Sequence, residues 1–104
     1  MSNEIGILRY ASENGYKMVR TLAINEGTVH ERLQDAHSDF GVLTVEHWLE
    51  QVPEELRNKI KAIKYGYDQL RGGKLSPEET RQLADDIVDF AADADRRFWT
   101  LGRV

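Results

Sequence analysis

The sequence predicts a single all-α domain, and three observations lead there. Alternating period-2 runs of apolar and polar residues are absent, so no segment reads as a half-buried strand. Two long segments in the second half repeat their apolar residues every three or four positions, the spacing of one helix face. The chain has 104 residues, 40% hydrophobic and 9% aromatic, with two prolines, which suits one core and lies far from the composition of a disordered chain. One compact domain is expected over residues 1–104, built of four or five helices. Its best-defined part is a C-terminal antiparallel helical hairpin over residues 53–99.

In chain order, residues 4–14 carry Ile5, Leu8 and Ala11, and residues 16–24 carry Val19, Leu22 and Ala23. They read as two modest helices separated at Asn14-Gly15. Asn25-Glu26-Gly27 makes the next break. Thr28-Val29-His30-Glu31 has capping-box spacing, in which each side chain accepts a hydrogen bond from the other residue's backbone N–H, and Val29, Leu33 and Ala36 carry the face toward Phe40. A short turn over residues 44–51 presents Val45, Trp48 and Leu49.

Pro53 stands at a first helical position, where its missing N–H is no loss, and Glu54 and Glu55 fall in the positive first turn. Leu56, Ile60, Ile63, Tyr67 and Leu70 then step by four and three into one stripe, and Gly72 is placed for a left-handed C-cap. Ser76-Pro77-Glu78-Glu79 opens the last helix with a cap serine, a first-turn proline and a capping-box glutamate. Leu83, Ile87, Phe90, Ala94 and Phe98 form its core face, widened by Ala84, Val88 and Ala91, so this helix is expected to pack on more than one neighbour.

Composition excludes several function classes. Without cysteine there is no disulfide, thiolate zinc site, iron–sulfur cluster or Cys nucleophile. Met1-Ser2-Asn3-Glu4 offers no basic leader and no apolar run nears the ~18–20 residues that span a bilayer, so a cytoplasmic protein without membrane contact is expected. A net charge of −4 disfavours nonspecific nucleic-acid binding, which neutralises phosphates with Lys and Arg.

The charges are segregated. Residues 57–74 hold six bases and one acid, a net +5, and residues 76–95 hold one base and seven acids, a net −6. Helical spacing lines up Arg57, Lys61, Lys64 and Arg71 beside the apolar stripe of one helix, with Tyr65 adjacent, and Asp85, Asp89 and Asp93 every four residues on the other. One reading is that the hairpin cancels its own charges in solvated pairs, each worth roughly 0–1 kcal/mol. The other is that one ridge meets a partner of opposite sign, electrostatics setting encounter rate and register.

Signals for chemistry are missing. The aspartate row is expected on the face opposite the core, without the enclosure that shifts carboxylate pKa values, and Asp93-Ala94-Asp95 runs into Arg96-Arg97 rather than an EF-hand glycine. His30, His37 and His47 make no His-x-x-x-His pair. No serine sits in a Gly-x-Ser-x-Gly elbow, and Gly72-Gly73-Lys74 has Asp68 where a phosphate loop needs its first glycine. No catalytic residue, metal ligand or cofactor is assigned. Trp99 with Arg96, Arg97 and Arg103 forms either a contact surface or a tail packed on the first helix.

Residues 19–38 can also be laid on a helix-turn-helix template, with Ala23 in the first helix, Gly27 at the turn and Leu33 at the buried position of the second. Thr28, His30, Arg32 and Gln34 would then face DNA, although Glu26 occupies a normally apolar position and Glu31 and Asp35 oppose the single arginine.

Three further pieces occur in order: Glu31-Arg32-Leu33-x-x-Ala36, Val52-Pro53-x-Glu55-Leu56-Arg57, and Ser76-x-Glu78-Glu79 ahead of Leu83-Ala84-x-x-Ile87-Val88. Together, over residues 28–91, they resemble a loosely defined set of small uncharacterised bacterial all-α proteins. The resemblance implies an intracellular bacterial domain from mobile or accessory DNA, and brings no activity or site with it. The expected function is a non-enzymatic adaptor or inhibitor that binds a protein partner, or itself, through charged helix faces. A variant has the aspartate row mimicking DNA phosphates, and the alternative is a helix-turn-helix regulator or antitoxin-like DNA binder.

Overall fold

The computed structural model describes residues 4–102. Five helices follow one another: α1 (Glu4–Ile24), α2 (Val29–Gly41), α3 (Glu46–Leu49), α4 (Glu54–Arg71) and α5 (Pro77–Gly102), with a 3-10 turn at Val42–Thr44. The fold is all-α, as the periodicity predicts, and the described residues contain no strand. No helix among them is long and apolar enough to cross a membrane.

α1 and α5 are the longest helices and form the most extensive contact. They run antiparallel, since Ser12 Oγ donates to Asp95 Oδ1 at 3.1 Å while Arg9 lies 5.8 Å from the Phe98 ring centre. α4 folds back along α5, and α2 lies against α1 and the end of α4. Leu56, Ile60, Ile63, Tyr67 and Leu70 of α4 are all buried, as are Leu83, Ile87, Phe90 and Ala94 of α5. They meet Leu33, Ala36 and Phe40 of α2 and Leu8, Ala11 and Met18 of α1 in one cluster. Each fully buried large aliphatic or aromatic side chain contributes about 1.5–3 kcal/mol relative to exposure.

Two expected caps form as read. Glu31 N donates to Thr28 Oγ1 at 3.2 Å and Thr28 N to Glu31 Oε1 at 3.3 Å; Glu79 N donates to Ser76 Oγ at 3.1 Å and Ser76 N to Glu79 Oε1 at 3.0 Å. Pro53 is the residue before α4 rather than its first turn, its carbonyl accepting from Arg57 N at 2.9 Å.

Elsewhere the structure corrects the sequence reading. Asn14-Gly15 is no break: α1 runs through it as one helix. Asn14 is buried and donates to the Tyr10 carbonyl at 2.8 Å, and Gly15 lies where α1 crosses α5, so close that a Cβ there would stand 3.0 Å from the Ala91 Cα. Continuity buries Ile7, Ala11 and Met18 on one side and leaves Ile5 and Ala23 exposed.

The left-handed residue after α4 is Gly73 (φ 67°), one later than expected, while Gly72 is right-handed. Lys74 N reaches Gln69 O at 3.0 Å and Gly73 N reaches Leu70 O at 3.1 Å, which closes the helix with both hydrogen bonds of a Schellman motif. α5 packs on α4, α1 and α2, and of the three residues expected to widen its core face only Val88 is exposed.

Candidate interaction surface

α4 has two flanks beside its buried stripe, and they differ in what happens to their charge. The flank facing α5 carries Lys59 and Gly66. Lys59 Nζ lies 2.9 Å from Asp89 Oδ2 and 3.2 Å from Asp93 Oδ2. Asp93 is only 3% exposed, and its other oxygen accepts from Arg96 and, at 3.1 Å, from Arg97 Nε. Arg97 Nη2 reaches on to Glu55 Oε2 of α4 at 2.7 Å. Burial pushes the Asp93 carboxyl upward, but hydrogen bonds from Lys59 and Arg97 and their charges outweigh it and hold it below its ordinary value. The same network raises Lys59, chiefly through the hydrogen bond to Asp89.

This cluster corrects the expected aspartate row. Steps of four residues advance about 40° around a helix, so from Asp85 to Asp93 the row rotates from solvent into the α4–α5 seam. Asp85 is exposed, Asp89 is exposed but bridged, and Asp93 is a buried cross-link between the helices. Arg96 and Arg97, grouped by sequence with Trp99 as either a contact surface or a tail packed on the first helix, are likewise held by Asp93, on a helix that does pack along α1; Arg103 lies outside the described residues. Trp99 is exposed and its indole N–H donates to Asp95 Oδ1 at 3.1 Å. Trp48, also set at a segment end, is half-buried and edge-on to Tyr10.

The opposite flank of α4 carries the basic ridge. Arg57 is half-buried and donates to the Glu50 carbonyl at 3.3 Å. Lys61 is exposed and has no ion pair among the described residues. Lys64 is exposed, 3.5 Å from Asp68 one turn on, a pair of little energetic weight at that exposure. Tyr65, grouped with the ridge by sequence, is 67% exposed but lies off it, at the edge of the groove between α4 and α5 with Ala62, Gly66 and Leu83. Arg71, at the end of the ridge, lies against the His37 ring, Nη2 within 2.9 Å of Nδ1 and 2.7 Å of Nε2. Burial and the neighbouring guanidinium lower the His37 pKa, against a smaller opposing effect of Asp68. Between this ridge and α3 lies a groove of about 510 Å³, with Arg57, Asn58, Lys61 and Lys64 on one wall and Leu49 and Glu50 on the other.

The larger hollow, about 670 Å³, lies where Ile7 and Leu8 of α1 meet Leu101 of α5. Arg96 and Arg97 line it too, but both are already engaged with Asp93. Among the described residues no three His, Asp or Glu side chains group to hold a metal ion.

The helix-turn-helix positions engage one another. Thr28 is the α2 cap, Gln34 Nε2 lies 3.0 Å from His30 Nε2, and Arg32 turns back to donate from Nη1 to the Leu22 carbonyl at 2.9 Å. Arg32 thereby satisfies a free carbonyl at the end of α1. Leu33 is buried as the template requires, whereas Ala23 is exposed.

Comparison with protein families, with curated proteins and with solved structures finds no match to this chain.

Proposed function

We propose that the protein is a non-enzymatic binding module, an accessory protein of bacterial or phage type acting in the cytoplasm, which engages a macromolecular partner through the basic flank of α4. The observation that carries this reading is the asymmetry of that helix. Lys59 on one flank is neutralised by Asp89 and Asp93, while Lys61 and Lys64 on the other stand exposed beside a groove, with Tyr65 exposed next to them on the outer side of the helix. Exposed lysines flanking an aromatic ring suit a contact with an acidic protein surface, in which charge sets encounter and register and the ring supplies buried area. The DNA-binding alternative has less to rest on, because Arg32, the one cation of its recognition helix, is spent on the Leu22 carbonyl.

The test is capture from nuclease-treated host lysate with tagged wild-type protein and with Lys61→Glu/Lys64→Glu. Loss of the bound protein in the variant, with circular dichroism still helical, is expected. Undiminished capture sinks the basic-flank reading.

A further inference from the structure

We propose that the occupant of the groove between α3 and α4 is a helix of a partner protein, with an apolar ridge, an acidic flank turned to α4 and a basic flank turned to α3. The proposal rests on the binding-module reading and narrows its partner. The groove is not uniformly basic. Arg57, Lys61 and Lys64 line it from α4, and Glu46 and Glu50 line it from the α3 side, with Glu54 at the start of α4. All three glutamates are exposed, and among the described residues no ion pair joins any of them to the three bases. Arg57 donates only to the Glu50 carbonyl. Opposite charges therefore border a hollow of about 510 Å³ without closing it. A surface of one sign would be favoured at one wall and opposed at the other, whereas an occupant charged oppositely on its two flanks is complementary to both.

Two arguments make that occupant a helix. Arg57, Lys61 and Lys64 stand at i, i+4 and i+7, one row about 10 Å long on a single face of α4, and acids at the same spacing on a neighbouring helix match that row in pitch. An extended segment would arrive with unpaired backbone N–H and C=O groups, and the described residues contain no strand whose edge could receive them. A helix satisfies its own backbone. Half-buried Leu49 and buried Ile60 give the groove its apolar contact, on which the ridge of the incoming helix would sit. Turning that helix end for end exchanges its flanks, so the two walls also set its direction.

Fluorescence anisotropy of the full chain with stapled helical peptides of about four turns tests this. The peptides share one apolar ridge: the first carries Glu on one flank and Lys on the other, the second Glu on both, the third Lys on both. Wild type is expected to bind the first at least about tenfold more tightly than either of the others. Glu46→Lys/Glu50→Lys should transfer the preference to the all-Glu peptide, and Lys61→Glu/Lys64→Glu to the all-Lys peptide, each variant being helical by circular dichroism. Such gains separate a recharged wall from a damaged one, which binds no peptide better. Should Glu46→Lys melt the short α3, Glu50→Lys alone replaces the pair. A wild-type chain that binds the all-Glu peptide as tightly as the two-sided one overturns the two-sided occupant and leaves the basic flank standing, which the capture experiment judges by itself. A preference that neither variant transfers overturns this groove as the site, and binding of none of the peptides overturns a helix as its occupant.

Discussion

Replacing Asp93 with Asn keeps its shape and removes the charge shared by Lys59, Arg96 and Arg97. Lys59 and Arg97 then keep only their more exposed partners, Asp89 and Glu55, and a loss of about 1–3 kcal/mol is expected in urea unfolding, with partner binding unchanged because Asp93 is no part of the exposed face. The pH dependence has a definite sign. The folded-state pKa of Asp93 lies below the ordinary 3.8, so its contribution is complete above that value and lost as pH falls through the folded pKa. His37 is held below 6.5, so the native state favours the neutral ring; the unfolded chain binds the extra proton first and stability falls as pH drops below 6.5. Melting temperatures at pH 7.5 and 5.5 should therefore differ less in His37→Gln than in wild type. Part of this was readable beforehand, since Asp93, Arg96 and Arg97 stand at i, i+3 and i+4. The partnership with Lys59 was not, because it depends on the register of two helices joined by a turn.

At the level of elements, the helix faces of α4 and α5 were legible because each keeps its apolar stripe over many turns and carries a recognisable start. The second half of α1 shows the limit. Asn14-Gly15 has the composition of a turn, yet its glycine is set by the neighbour it touches rather than by backbone curvature. Two substitutions separate those roles. Gly15→Val drives side-chain atoms into Ala91 and should destabilise by roughly 1–3 kcal/mol. Gly6→Ala, with nothing within 4 Å of the new Cβ, should stabilise by about 0.5–1 kcal/mol. Thermal unfolding of both variants checks the pair; equal effects would contradict the single continuous α1. Arg32→Ala tests the α1–α2 junction in the same way. It should cost about 1 kcal/mol through the orphaned Leu22 carbonyl, and a low-salt mobility shift that depends on Arg32 would return the junction to DNA recognition.

Over the whole molecule, opposite charge on adjacent helices does two jobs divided by depth. In the seam it links α4 to α5 through Lys59, Asp89, Asp93 and Arg97, and at the surface it leaves Lys61, Lys64 and Asp85 without seam partners. Sequence counting found the segregation but could not say which charges the fold consumes, since that depends on which flank of each helix faces the other. The surface portion should respond to salt and the buried portion should not, because screening acts within about 8–10 Å through water near physiological ionic strength and much less in a seam.

The most direct measurement compares two variants of equal charge change in the nuclease-treated capture, Lys61→Glu/Lys64→Glu on α4 and Lys17→Glu/Arg20→Glu on the exposed side of α1. If the basic flank of α4 is the interaction surface, the first variant loses the bound protein by at least about tenfold and the second retains it. Equal loss in both, or equal retention, would contradict the assignment, because the effect would then follow net charge or neither site.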